Sequence, residues 1–205
     1  MRSPHLLLST LLFAALSTAE ESSWTDLFNG QDLSGWVIEK EAAFSVKDGL
    51  IVLNKGAGWL RSEDTFGDFE LLIEFRFLEE KANSGIFVRT GPESHDDEKG
   101  WPNHGYQVQL MDNLSDFKPL AIMLPYGAPP FAFEHDLDAV KTAYHPDGEW
   151  NQYRILCVGE TLEVRLNDVL VTRAWDIKVP TGHIGIQAEF GHLEFSKLQV
   201  REAPQ

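Results

Sequence analysis

The stretch Gly105-Tyr-Gln-Val-Gln-Leu-Met-Asp-Asn113 decides the reading of the fold. Successive side chains of a strand point to opposite faces, so Tyr106, Val108 and Leu110 share one face and Gln107, Gln109 and Met111 the other. One face is apolar and the other carries two amides. The same alternation recurs in Glu70-Leu-Leu-Ile-Glu-Phe-Arg-Phe77 and, more briefly, in Gly85-Ile-Phe-Val-Arg89. Neighbouring strands with this bias predict a sheet whose inner face packs on a core and whose other face gathers Glu74, Arg76, Arg89, Gln107 and Gln109. Such a face suits a polyhydroxylated ligand.

Outward from this stretch the chain keeps the same habit. Residues 44–53 read as a hairpin closed by Lys47-Asp-Gly49, the glycine supplying the positive φ of a tight turn. Residues 150–171 read as a meander with turns at Gly159-Glu160 and Asn167-Asp168, and residues 184–188 and 193–200 add further strands. Residues 90–104 form a long irregular segment rich in Gly, Pro and acids, of the kind that borders a site. Between 112 and 149 repeated prolines break the pattern, leaving a short strand at Leu120-Ala-Ile-Met123 and a turn or brief helix at 134–144. Strand-like runs with almost no helical period predict an all-β, two-sheet antiparallel β-sandwich or jelly roll.

The N-terminus reads as a secretion signal over residues 1–19, followed by a single domain over 20–205: Arg2 precedes an apolar run at 6–16 and the small residues Ser17-Thr-Ala19. That run is short for a membrane span, and no later one approaches the roughly 20 residues needed. Expected localisation is therefore secreted or periplasmic, without membrane insertion. With 17 Lys and Arg against 32 Asp and Glu, the net charge of −15 argues against nucleic acid and anionic membrane surfaces as partners. Cys157 is the one cysteine, so no internal disulfide forms, and its place between Tyr153, Ile155 and the strand end reads as a packed thiol.

Six ordered motifs then carry a resemblance. They are Trp24-Thr-Asp-Leu-Phe-Asn-Gly30 with Leu33-Ser-Gly-Trp36, Gly67-Asp-Phe-Glu70, Asn83-Ser-Gly-Ile-Phe-Val-Arg89, Gly105-Tyr-Gln-Val-Gln109 with Asp112-Asn113, Gly148-Glu-Trp-Asn151, and Gly182-His-Ile-Gly-Ile-Gln187. Together they resemble the 3-keto-disaccharide hydrolase family across nearly the whole chain after the leader. The resemblance implies a concanavalin-like jelly roll and action on glycosides already oxidised at C3. Where the family strand usually reads Gly-Tyr-Glu-Val-Gln, this chain has Gln107, which can bind a hydroxyl but cannot take up a proton as a carboxylate does.

Cleaving such a substrate requires a base for the hydrogen at C2, an acid for the leaving oxygen, and donors for the enolate. Glu74 and Asp112 are candidate bases, and His104 is a candidate acid or base. Arg61 and Arg89 are candidate oxyanion partners, with Gln107, Gln109 and Gln187 reading hydroxyls. Each has a plainer alternative: a cross-strand ion pair for Glu74, a turn for Asp112-Asn113, a solvated loop for His104, and a solvated sheet face for the arginines and amides. The acidic run at 96–98 reads as a solvated loop rather than a calcium site, and no zinc spacing occurs, so no metal is assigned. No cofactor is named, and the oligomeric state stays open. The two functional readings are a 3-keto-glycoside-cleaving enzyme and a non-catalytic carbohydrate-binding module using the same concave face.

Overall fold

In the computed structural model, which describes residues 22–204, two antiparallel sheets pack face to face. The leader read at residues 1–19 lies outside the described residues. The smaller sheet runs β2 (Trp36–Glu39), β5 (Trp59–Phe66), β14 (Gly182–Gln187), β7 (Asn83–Thr90), β8 (Gly105–Met111) and β9 (Met123–Tyr126). The larger runs β10 (Ala132–His135), β13 (Val169–Trp175), β12 (Thr161–Leu166), β11 (Asn151–Val158), β6 (Phe69–Phe77), β15 (His192–Glu202), β4 (Leu50–Asn54) and β3 (Phe44–Lys47), with β1 (Thr25–Asp26) paired to β15. This is the two-sheet jelly roll that the strand pattern predicts.

Core-facing positions are the ones the alternation selects. Leu71, Ile73, Phe75 and Phe77 of β6 are buried with Ile86, Val88, Tyr106, Val108 and Leu110 in one cluster between the sheets. Each such side chain contributes on the order of 1.5–3 kcal/mol on burial. Polar ends in this layer are satisfied across it: the Tyr153 hydroxyl donates to the Gln109 carbonyl at 2.9 Å, and the Tyr106 hydroxyl accepts from the backbone of Lys178 at 3.0 Å. Cys157 is fully buried there, and burial pushes its thiol up to about 12.

The turns follow their residues. Asp48 and Gly49 both adopt positive φ between β3 and β4, as do Asn167 and Asp168 between β12 and β13, the geometry that closes a two-residue hairpin. In the 112–149 region the strand begins at Met123, not Leu120: Leu120 and Ala121 form a turn. Pro125 fits β9 because that strand is the sheet edge and needs no second ladder donor. A single-turn-plus helix, α1 (Leu137–Ala143), starts at Asp136, whose carboxylate accepts from the Ala139 amide at 2.9 Å.

One expectation is corrected. Strands β6 and β7 do not share a sheet: β6 lies between β11 and β15, while β7 lies between β14 and β8. Glu74 and Arg76 therefore sit on the outer face of the larger sheet, away from Gln107 and Gln109. Alternation states which side chains face the core, and both sheets present the same pattern to it, so sheet membership is invisible to it.

The two outer faces differ. In β11 buried and half-buried residues alternate, as expected of a face open to water, whereas every residue of β14 and all but the last of β8 is buried. Something covers the outer face of the smaller sheet.

Candidate functional site

The cover is the segment at 91–104. It is stitched down by hydrogen bonds from Gly58 N to the Lys99 carbonyl (2.5 Å), from the Trp59 indole to Ser94 Oγ (3.1 Å) and from the Trp101 indole to the Ala188 carbonyl (3.1 Å). Beneath it Trp59 and Phe87 join Trp101 of the segment itself in a second apolar cluster with Tyr126 against it, on the face opposite the main core. Their rings meet edge to face, Trp59 to Phe87 at 5.6 Å and Phe87 to Tyr126 at 5.3 Å. Asp97 braces the segment by accepting from the backbone of Lys99 and Gly100 at 3.0 and 2.8 Å, and Lys40 donates to the Asp97 carbonyl. The acidic run is thus a turn. Among the described residues, no group of three or more His, Cys, Asp or Glu is placed to hold a metal ion.

Beside the aromatics lies a cavity of about 220 Å³. Its walls come from β7 (Asn83), β8 (Gln109, Met111), β9 (Leu124, Tyr126), the end of β14 (Gln187, then Glu189), the cover (Lys99, Trp101) and the 113–118 loop (Phe117, Lys118). The volume is below the ~300 Å³ at which drug-sized ligand sites begin, so it suits one small unit.

A continuous polar array forms its floor. Gln107 Nε2 donates to Gln109 Oε1 and to Gln187 Oε1, both at 2.9 Å. Gln109 donates on to Asn83 Oδ1 at 3.3 Å and Asn83 donates to Glu189, while Gln187 and Tyr126 line the same cavity. Gln107 lies behind the lining residues, flat across Gly85, where a Cβ would meet its Nε2 at 1.8 Å. That contact explains the glycine of Asn83-Ser-Gly85: Asn83 reaches Glu189, Ser84 Oγ donates to the Gln187 carbonyl at 2.7 Å, and Gly85 leaves room for the amide. The Gln107 Oε1 atom is buried and has no protein partner.

Glu189 is the acid of this site. Burial pushes its carboxyl above the ordinary glutamate range, against the pull of Lys99 and Lys118. Lys99 Nζ lies 3.7 Å from it and 4.1 Å from the centroid of the Trp101 ring. Burial and the Glu189 charge push the Tyr126 hydroxyl up to about 12, which keeps it a phenol and a donor at neutral pH. A half-buried carboxylate and phenol, an exposed ammonium and buried amides thus converge on one small space.

Of the residues named from sequence, Gln107, Gln109 and Gln187 are brought together here. Arg61 is on the same face two strands from β7, where its Nε pairs with Glu39 at 2.8 Å, and it does not line the cavity. Arg89 is displaced altogether: with φ of 50° its side chain turns into the space between the sheets. There it donates to the carbonyls of Gly67 (3.0 Å), Gly159 (2.8 Å) and Val179 (3.1 Å) and to Asp68 (2.9 Å). Asp112 accepts from the Lys81 amide at 2.9 Å and the Tyr144 hydroxyl at 3.0 Å, closing the end of β8. His104 sits at the base of the cover, where its carbonyl accepts from Gly91 at 3.0 Å, and it does not line the cavity. Glu74 binds Ser196 (2.8 Å) and Lys197 (3.0 Å) on the other sheet; burial raises its carboxyl, but these partners outweigh that and hold it lower.

Glu189 and Asn83 have no site role in the sequence reading, and Tyr126 enters it only as a candidate aromatic platform for a sugar, with Trp59 and Trp101. A signal for Glu189 was present, since the alternation that singles out Gln187 continues through Ala188 to it. Asn83 stands first in a quoted motif, and Tyr126 follows the proline that masks its strand.

No curated protein matches this chain. Among solved structures, a protein from Parabacteroides distasonis provisionally named a glycosyl hydrolase is similar at 18% identity and a TM-score of 0.67, covering 94% of this chain and 99% of its own. A carbohydrate-binding module from Bacillus subtilis is similar at 13% identity and a TM-score of 0.54, covering 82% and 95%. A β-glucanase from Bacillus licheniformis is similar at 11% identity and a TM-score of 0.53, covering 90% and 99%. At these identities the likeness is one of fold, the concanavalin-like jelly roll. Residues 23–201 match the family model of the 3-keto-alpha-glucoside-1,2-lyase-like domain, and the chain belongs to that family.

Proposed function

We infer that this chain is an exported enzyme that cleaves 3-keto-glycosides, with the 220 Å³ cavity holding the oxidised sugar ring. The observation that carries this is Glu189: a carboxylate raised toward neutrality by burial, held by Asn83 and Lys99, at the end of an amide array suited to sugar hydroxyls. Export rests on the leader-like residues 1–19.

The ketone at C3 acidifies the hydrogen at C2. Glu189 takes that proton, and its raised proton affinity matches it to the task better than an exposed glutamate. The electron pair left on C2 delocalises onto the C3 oxygen as an enolate, for which the Lys99 ammonium and the Tyr126 phenol are the nearby donors. Collapse of the enolate forms the C1=C2 double bond and expels the C1 oxygen, which takes up a proton. Water then adds across the double bond, oxygen to C1 and hydrogen to C2, and the sum is hydrolysis. Gln109 and Gln187 orient the ring through its hydroxyls while Gln107 ties the two amides together.

The test is product formation from a 3-keto disaccharide, with the unoxidised disaccharide as control, for the native chain and Glu189→Gln. Turnover confined to the oxidised sugar and lost in the variant supports this reading, and undiminished turnover in the variant overturns the role of Glu189. The second reading, a carbohydrate-binding module, is favoured by one feature: Gln107, behind the lining residues, carries an amide that moves no proton where the family strand carries a carboxylate. Sugar binding without turnover of either substrate selects it.

A further inference from the structure

A cavity that holds one ring leaves the rest of a glycoside outside, so the mouth determines which leaving groups are accepted. Among the described residues, Phe117 is the most exposed of the large apolar side chains, at 75%, and it stands on the cavity's wall. A lone exposed phenylalanine is ordinary on a protein surface, and what sets this one apart is its place on the cavity lining beside Lys118 and Glu189. Its position is not slack. Asn113 Nδ2 donates to the Phe117 carbonyl at 2.6 Å, Asn113 Oδ1 accepts from the Ser115 amide at 3.0 Å, and the Phe117 amide donates to Ser115 Oγ at 3.4 Å. Lys118 follows in the left-handed region, with φ of 47°, and places its ammonium 5.7 Å from the centroid of the Phe117 ring. The same ammonium lowers the Glu189 carboxyl by its charge, so ring, cation and acid face a common space.

We propose that Phe117 and Lys118 form a leaving-group subsite that stacks a ring-shaped aglycone, and that Asn113 is the positioning residue that holds it at the mouth. The proposal rests on reading the cavity as a glycoside site. A sugar or aryl ring presents a flat apolar face to Phe117, and Lys118 supplies a donor at its edge. A methyl group is too small to use either. The inner array of Gln109, Gln187 and Glu189 would then set the sugar, while the 113–118 loop sets what is attached to it.

The experiment compares three 3-keto-glucosides, with methyl, phenyl and glucosyl leaving groups, on the native chain, Phe117→Ala, Phe117→Trp and Asn113→Ala. The expected result for Phe117→Ala is a KM raised roughly three- to tenfold more for the phenyl and glucosyl substrates than for the methyl one. Phe117→Trp should retain the preference, and Asn113→Ala should weaken it in the same direction. An equal change for all three substrates, or none, overturns the proposal. If the native chain turns over none of them, the catalytic reading falls and the same comparison is made by equilibrium binding. Loss of the ring preference in Phe117→Ala then still supports the subsite, and absence of any preference in the native chain overturns it.

Discussion

Arg89 and Gln107 lie on adjacent strands and are both almost wholly buried, yet they serve opposite ends. Arg89 gives its guanidinium to three carbonyls and one carboxylate drawn from three separate segments, at 67–68, 159 and 179, so its donors tie the sandwich together at one edge. Gln107 donates to neighbours that themselves line the cavity and leaves its own carbonyl oxygen without a protein partner. A buried polar group that satisfies its capacity on backbone serves the fold. Gln107 instead passes its donors along a chain of side chains that ends at the cavity wall.

The sharpest way to break this contrast is Glu189→Gln, at the far end of the Gln107 array. It should lower turnover by about 10²- to 10⁴-fold in steady-state assays, the range for losing a proton-transfer group, with the urea midpoint little changed near neutral pH. Arg89→Met should do the reverse. Leaving Gly67, Gly159 and Val179 with unpaired carbonyls should cost about 3 kcal/mol in urea unfolding, while ligand binding by the folded fraction is unchanged. A variant that loses activity without stability would place Arg89 in the site after all. Gln107→Leu sharpens the comparison from the other side: about 1–3 kcal/mol of stability and a weakened sugar affinity should be lost together, because the Gln109 and Gln187 oxygens lose their shared donor.

The smallest effect is a pH dependence. Burial raises the Glu189 carboxyl above its ordinary 4.5, so the folded chain holds that proton more tightly than the unfolded one. Its contribution to stability is therefore full below the ordinary value and is lost as pH rises through the raised one. Glu189→Gln cannot lose it, so the stability of the variant relative to the native chain should rise in urea titrations as pH climbs from the ordinary glutamate value through the raised one. A constant difference would mean that the carboxylate is solvated and unlike the acid argued here.

Much of this could be read before any coordinates. The period-two pattern in 105–113 and 70–77 named the core face of both strands, and Asp48-Gly49 and Asn167-Asp168 announced their hairpins. Gln107, Gln109 and Gln187 emerged as one polar set because alternation places them on the non-core side of their strands. Glu74 and Arg89 were grouped with them wrongly, the first because its strand joins the other sheet, the second because a residue at positive φ leaves the alternation and swings to the opposite side. The short motif Asn83-Ser-Gly85 was visible, but its reason was not: it depends on a glutamine from the neighbouring strand lying over the glycine.

By itself, the sequence determined the class of fold, the residues that face the core, and the amide character of one outer face. These follow from local rules, the pleat of a strand and the steric demands of its turns, which every stretch of chain obeys on its own. Which strands share a sheet, that the segment at 91–104 closes over Trp59 and Phe87, and that Glu189 meets Asn83 and Lys99 beside three glutamines were decided only in the tertiary structure. Those contacts join residues far apart in the chain, Thr25 with Val200 in one strand pair and Asn83 with Glu189, 106 positions apart, in the site, and their energies depend on packing and desolvation that exist only once the chain is folded.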